Sequence, residues 1–349
     1  MPTRILIVGA GAIGAFFGSR LATVPQVLIS ALCRSNYNAV KKGGFKITSP
    51  QFGDYVFKPE FTFCNPDEAQ QESQEKQLRW DYLLVATKVL PEVSDVSRLL
   101  EGLIDDKTSI VLVQNGLGIE KPYRARFPGT TILSAVTIAS AVQNEPGTIT
   151  HNRWTRLSIG PYLPDSTLNQ ENPESSRDTT RTKAFVDLLE AGGITDAIPY
   201  AAASLQLLRW HKLAINAAIN ASSVLSGGCG NAALADDPEL AIHLLGVMNE
   251  VLATGAKVLG YESFPFQELK LATPEQVLAS VRKNTSGSRP SMWWDWAEGR
   301  PMEVEAILGE PVRVAREIGV EMGRTQSLYA LLRMAQEKRD GGREGKGRL

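Results

Sequence analysis

Six residues near the amino terminus, Gly9-Ala10-Gly11-Ala12-Ile13-Gly14, constrain the fold more than anything else in the chain. They follow an apolar run at residues 4–8 that reads as a short buried strand, and they lead into a helix-compatible stretch at 15–22. In that setting each glycine has a task. Gly9 permits a tight turn, Gly11 lets the backbone approach a pyrophosphate, and Gly14 allows close packing of helix on strand. The amides at the helix start then face the anion. The pattern predicts a dinucleotide site at the opening of a βαβ unit.

The rest of the chain supplies the context. Buried strands are expected at 27–32, 81–86 and 109–113, with a solvated, Gln/Glu-rich connection at 65–79 carrying a short helix, and a helix at 91–103. Strands alternating with helices imply a parallel sheet with crossover helices. Strand-like pieces at 131–141, 148–151 and 156–159 suggest an antiparallel extension. Residues 164–183 offer almost nothing to bury and read as a flexible loop, followed by a helix at 184–191. From 204 onward the texture is helical: 204–225, 237–259, 265–282, 291–298, 303–318 and 325–337, with a disordered tail. The expected class is therefore α/β, with an N-terminal Rossmann-type dinucleotide-binding domain over 1–200 and an all-helical C-terminal domain over 201–340.

The choice of nucleotide is made after the second strand. An NAD site usually places a carboxylate there for the ribose hydroxyls, whereas this strand ends Leu-Cys-Arg-Ser-Asn. Arg34 suits a 2′-phosphate that a carboxylate would repel, so NADP(H) is the expected cofactor. Lys88, after the third strand, and Asn115, in Gln-Asn-Gly after the next, lie at the carboxyl edge of the sheet, where ligands of open α/β sheets sit.

Within the Ala-rich segment RWHKLAINAAIN, Lys212, Asn216 and Asn220 are spaced four apart and share one line of a helix. A solvated face would mix several charges; this one has a single ammonium and two amides. Two readings are open: the wall of a partly dry pocket in which a lysine donates a proton and amides hold oxygens, or a lysine at the domain rim with structural asparagines. His211 and the cluster Trp293, Trp294 and Trp296 read as packing. Ser291 and Glu303 lie further on, and Glu303 also has a simple explanation as a carboxylate near a helix start after Pro301.

Global properties exclude other classes. A formal net charge of −1 gives no general attraction for nucleic acid or an anionic membrane. The 3 cysteines are widely spaced, in no metal-ligand pattern, and read as reduced thiols, so no metal is expected. No apolar run approaches the ~20 residues needed to cross a bilayer. A soluble cytoplasmic protein is expected, with a homodimer as the assembly this reading allows; the final Gly-Arg-Leu departs from the peroxisomal Ser-Lys-Leu.

Taken in order, GAGAIG, CR, ATK, QNGLG, RWHKLAINAAINASS, PSM and EVEAILG resemble the ketopantoate reductase (2-dehydropantoate 2-reductase) family, over nearly the whole chain. The resemblance implies NADPH-dependent reduction of 2-dehydropantoate to (R)-pantoate in pantothenate biosynthesis. It implies Lys212 as general acid and Glu303 as the carboxylate engaging it and the substrate. It further implies Asn115 near the nicotinamide and reacting centre, Asn216 and Asn220 on substrate oxygens, Ser291 on the substrate carboxylate, and Lys88 and Arg34 on NADP; Asn231 matches a family asparagine. Pro91 stands where the family often has a polar residue, and Leu-Gly-Glu replaces its usual Asn-Gly after Glu303. Reduction of another branched 2-keto or hydroxy acid, or nucleotide sensing without catalysis, are the alternatives.

Overall fold

The computed structural model describes residues 2–163, 173–284 and 286–344. The chain forms two compact units. The first takes residues up to Lys88, Asp95–Gln114 and Glu120–Leu205; the second takes Val89–Ser94, Asn115–Ile119 and the chain from Gln206 onward.

The first unit is built on a sheet. Strand β1 (Thr3–Val8), helix α1 (Ala12–Leu21) and strand β2 (Val27–Leu32) form the opening βαβ unit, with β1 and β2 parallel. On the other side of β1 lies β6 (Tyr82–Val85), then β7 (Ser109–Leu112), both parallel. Their residues are buried throughout, which is why they read in sequence as unbroken apolar runs. Strand β8 (Thr131–Glu145) continues the parallel set and folds back as the antiparallel β9 (Thr148–Pro161). Helix α2 (Tyr37–Gly43) leads into the hairpin β3 (Phe45–Ser49) and β4 (Gly53–Phe57), and β3 docks on β9. With β5 (Thr62–Phe63) beside β2 and β10 (Ala197–Pro199) on β9, the order across the sheet is β4-β3-β9-β8-β7-β6-β1-β2-β5. Helix α3 (Pro66–Glu75) occupies the Gln/Glu-rich connection, capped by Asn65, whose side chain accepts the Glu68 amide at 2.9 Å. Helix α4 (Lys121–Arg126) precedes β8.

The second unit is helical. Its long helices are α6 (Ala202–Leu225, which starts in the first unit), α8 (Pro238–Val258) and α12 (Gly323–Glu344), joined by the shorter α7 (Asn231–Asp236), α9 (Pro274–Arg282), α10 (Ser291–Ala297) and α11 (Glu310–Glu317). Its core is centred on Trp210, Leu213, Val247, Met248, Val251, Met302 and Leu308. Buried Ala214, Ala217, Ala218 and Ala221 keep the apolar side of α6 thin. No helix among the described residues is long and apolar enough to cross a membrane.

Several expectations need correction. The helix expected over 91–103 is only a 3₁₀ turn at Val96–Leu100. Asp95 Oδ1 accepts from the Ser97 amide at 3.0 Å and from its hydroxyl at 2.6 Å, an arrangement that competes with helix. The chain also leaves the second unit at this point. The flexible loop expected over 164–183 falls partly outside the described residues, but α5 (Pro173–Ala191) takes up its second half. The buried stripe of α5 runs Asp178, Thr182, Phe185, Val186, Leu189, and two of those positions are polar, so hydropathy alone hides it. Thr131 Oγ1 donates to Asp178 Oδ1 at 2.5 Å, and Thr182 donates to the Asp178 carbonyl. The helix expected at 265–282 begins only at Pro274, where Thr273 and Gln276 form a reciprocal capping box. The strand pieces expected at 148–151 and 156–159 are one strand, kept continuous past the unpaired Asn152 and Trp154 by register shifts around Ser140. The last helix runs on to Glu344, into what reads as a disordered tail.

Phe185 is fully buried between α5 and the sheet, 4.9 Å from the Tyr82 ring. Phe185→Ala is expected to cost about 3–5 kcal/mol in a denaturant unfolding experiment; a loss below ~1 kcal/mol would mean that α5 is not part of the folded unit.

Candidate active site

The nucleotide side is assembled in the first unit. Gly9 has φ +91°, and a Cβ there would lie 2.5 Å from Thr87 Cγ2. At Gly14 a Cβ would meet the Gly9 carbonyl at 2.6 Å, so the turn and the start of α1 are sterically closed to any side chain. Gly11 differs: a Cβ would meet nothing within 4 Å. Open space over a glycine at the N-cap of a ten-residue helix, with no acidic residue in its first turn, fits a pyrophosphate. Ala12 and Ile13 carry α1 into its first turn, and buried Ala10 supports the loop from below.

Two side chains that sequence reasoning passed over hold this cradle. Buried Asn36 donates from Nδ2 to the Ala10 carbonyl at 2.8 Å and to Gln143 Oε1 at 3.0 Å. It thereby ties the segment bearing exposed Arg34 and Ser35 to the glycine loop. Gln114 Nε2 donates to the Thr87 carbonyl (3.0 Å) and hydroxyl (2.9 Å), and Tyr123 donates to Gln114 Oε1 at 3.2 Å. That network fixes the strand end preceding half-buried Lys88. The only sequence signal was polarity next to a strand end, which turns also show.

The chemical side is assembled in the second unit. Lys212 Nζ donates to Asn115 Oδ1 at 2.6 Å. Burial, with help from the Arg209 guanidinium, pulls the Lys212 pKa down to about 8, while Glu303 pulls it the other way. Glu303 Oε1 accepts the Val89 amide at 2.9 Å. Immediately after Glu303 the helix takes a π turn at Glu305–Gly309, with the Glu310 amide reaching back to the Glu305 carbonyl. The next carbonyl, Ala306, would then need a donor from residue 311, which is proline and has none. It accepts instead from the Leu117 amide at 2.9 Å. Gly116 fits beneath at φ +106°, where a Cβ would lie 2.5 Å from Ala306 Cβ. The loop carrying Asn115 is thus docked on the segment carrying Glu303. Arg209 Nη1 adds a bond to the Gly116 carbonyl at 3.2 Å.

Asn216 and Asn220 continue the stripe of α6, the first half-buried and the second 7% exposed. Ser291 is exposed at the start of α10. Asn231 donates from Nδ2 to Ser288 Oγ at 3.4 Å, while its Oδ1 is buried with no hydrogen-bond partner among the described residues. His211 Nε2 donates to the Ala272 carbonyl at 2.8 Å, beside Phe264 and Phe266, and burial lowers its pKa: a packing residue. Trp293 packs against Gly228, whereas Trp294 is exposed.

A glycine cradle for a dinucleotide and a desolvated lysine held by an amide belong to a nucleotide-dependent oxidoreductase acting on a CH–OH group, with NADP(H) as cofactor. Comparison with known proteins narrows this. Residues 5–164 match the family model "Ketopantoate reductase PanE/ApbA" and residues 204–336 its C-terminal counterpart. The 2-dehydropantoate 2-reductase of Methylococcus capsulatus is similar in structure, with TM-score 0.79 and 30% identity over 96% of this chain and 97% of its own. In sequence, the 2-dehydropantoate 2-reductase of a Nostoc species is 26% identical over 95% of this chain and 94% of its own. An uncharacterized protein of Saccharomyces cerevisiae is 28% identical over 96% and 94%. The chain belongs to the ketopantoate reductase family.

Gly116→Ala is expected to lower stability by about 1–3 kcal/mol, from positive-φ strain and the collision with Ala306. Equal thermal midpoints for variant and wild type would refute the tight docking of this loop.

Proposed function

We propose that this protein reduces 2-dehydropantoate to (R)-pantoate with NADPH, as a step of pantothenate biosynthesis. The observation that carries the reading is the Lys212 amine, bonded to Asn115 at 2.6 Å and brought to a pKa of about 8. Supporting it is family membership. In this reading residues 1–200 serve as the NADP-binding domain and 201–340 as the substrate domain, in a cytoplasmic homodimer.

Gly9, Ala10, Gly11, Ala12, Ile13 and Gly14 hold the pyrophosphate, Arg34 takes the 2′-phosphate, and Lys88 and Asn115 complete the cofactor contacts. Bound NADPH supplies the hydride that reduces the keto carbon. As negative charge grows on the keto oxygen, the Lys212 ammonium stabilises it and donates a proton, leaving a neutral amine that solvent reprotonates. A well-placed general acid contributes about 10²–10⁴-fold. With a pKa near 8 the amine is mostly protonated at neutral pH yet gives its proton up more readily than an ordinary lysine. Glu303 orients the ammonium and accepts from the product hydroxyl. Asn216 and Asn220 bond substrate oxygens, and Ser291 bonds the carboxylate.

NADPH oxidation followed across a panel of 2-keto acids tests the reaction. Turnover of 2-dehydropantoate above the others is expected; turnover of another branched keto acid alone would move the substrate, and none at all would refute the reading. Lys212→Ala should lower kcat at least ~100-fold with NADPH affinity retained. The acid must be protonated, so kcat/KM should be level below pH 8 and decline above it, on the side where the amine of pKa about 8 loses its proton. A rate that keeps rising through pH 9 would remove Lys212 as the acid. Separately, Arg34→Ala should weaken NADPH binding ~10-fold or more with NADH affinity unchanged, by loss of a charge-assisted phosphate bond; an unaltered preference between the two would discard the assignment.

A further inference from the structure

Arg209 has a place in this site that the reading so far does not use. It precedes Lys212 by three residues and lies about 60° around α6 from it, on the side of Asn216 and Asn220. It is only 4% exposed, so a permanent cation is held inside the protein one helical turn from a second cation. A surface position would serve if the residue merely gave solubility. One of its contacts is from Nη1 to the Gly116 carbonyl, next in sequence to Asn115, whose side-chain oxygen accepts from Lys212.

We propose that Arg209 is a positioning residue for the Lys212 amine: it clamps the Asn115–Ile119 segment through the Gly116 carbonyl and keeps a second positive charge beside the ammonium. The proposal rests on Lys212 being the proton donor. Two contacts then hold the segment, Arg209 on the Gly116 carbonyl and the Ala306 carbonyl on the Leu117 amide, next to the Asn115 that accepts from Lys212. The charges acting on the amine are Arg209 from its own helix and Glu303 from ahead of the π turn. From the loop comes the neutral Asn115 amide. Glu92, in the Val89–Ser94 segment, is raised by burial and by Glu305, which is itself bonded to Arg313 and Tyr329. Like charge makes an ammonium give up its proton more easily, so Arg209 opposes Glu303.

Competitive acetylation of the intact protein across pH, read by mass spectrometry on the Lys212 peptide, measures the titration of this amine without any substrate. Arg209→Gln should move its midpoint upward by at least ~0.5 pH unit, since one like charge is removed. Arg209→Lys keeps the charge but loses the planar fork that reaches Gly116; its midpoint should stay near wild type. In the reductase assay Arg209→Lys should lower kcat ~10-fold or more at unchanged NADPH KM, the expected cost of a displaced acid. An unmoved midpoint in Arg209→Gln overturns the charge role, and wild-type kcat in Arg209→Lys overturns the clamp. If the glutamine variant does not fold, the lysine variant still decides the clamp. A shifted midpoint in a protein that reduces no keto acid would place the failure in the proposed reaction rather than here.

Discussion

The hydrogen bond from Lys212 to Asn115 holds a desolvated ammonium against the loop at 115–119 of the second unit. An ammonium removed from water loses hydration that a single neutral amide cannot replace, and its pKa falls. Keeping the amine there requires a rigid loop, because a mobile one would let water return. The rigidity has local causes: a glycine at positive φ, a proline that leaves one carbonyl without a helical donor, and a π turn that aims that carbonyl at the loop. Each is a small departure from regular helix, and together they hold a single oxygen atom 2.6 Å from the amine.

The nucleotide side works differently. Its shape comes from what is missing, open space over Gly11, bounded by contacts that forbid side chains at Gly9 and Gly14. Asn36 and Gln114 then pin the neighbouring strand ends, so the cradle is defined by backbone and amides rather than by charge. The charge, Arg34, stays exposed at the rim. Anion recognition of this kind depends on preorganised N–H groups more than on net charge, which is consistent with a chain of nearly zero formal charge.

How legible the molecule was in its sequence follows from these differences. The parallel strands β1, β2, β6 and β7 announce themselves because burial on both faces makes them mostly apolar, with Ser30 and Ser109 as buried exceptions. The second half of helix α5 was legible at 184–191, but its earlier turns were hidden because their buried positions are Asp178, whose partner Thr131 is distant in sequence, and Thr182. The hairpin β3–β4 alternates over too few residues to stand out. In the site, the spacing of Lys212, Asn216 and Asn220 could be read from helix geometry alone, since it is local. Asn36 and Arg209 could not: one looks like turn chemistry and the other like a surface cation. Their significance comes from carbonyls 26 and 93 positions away. Pro311 likewise has no meaning until the π turn is seen.

The path of the chain between the two units carries a consequence for anyone who would exchange parts among relatives. The helical unit is not one continuous stretch; it also owns Val89–Ser94 and Asn115–Ile119, which are spliced into the earlier half. A chimera cut once near residue 206 would therefore pair a helix from one parent with the asparagine loop and the Val89 amide of the other. The helical unit is inherited as three separate pieces of chain, and any end-to-end fusion of halves has to keep all three compatible.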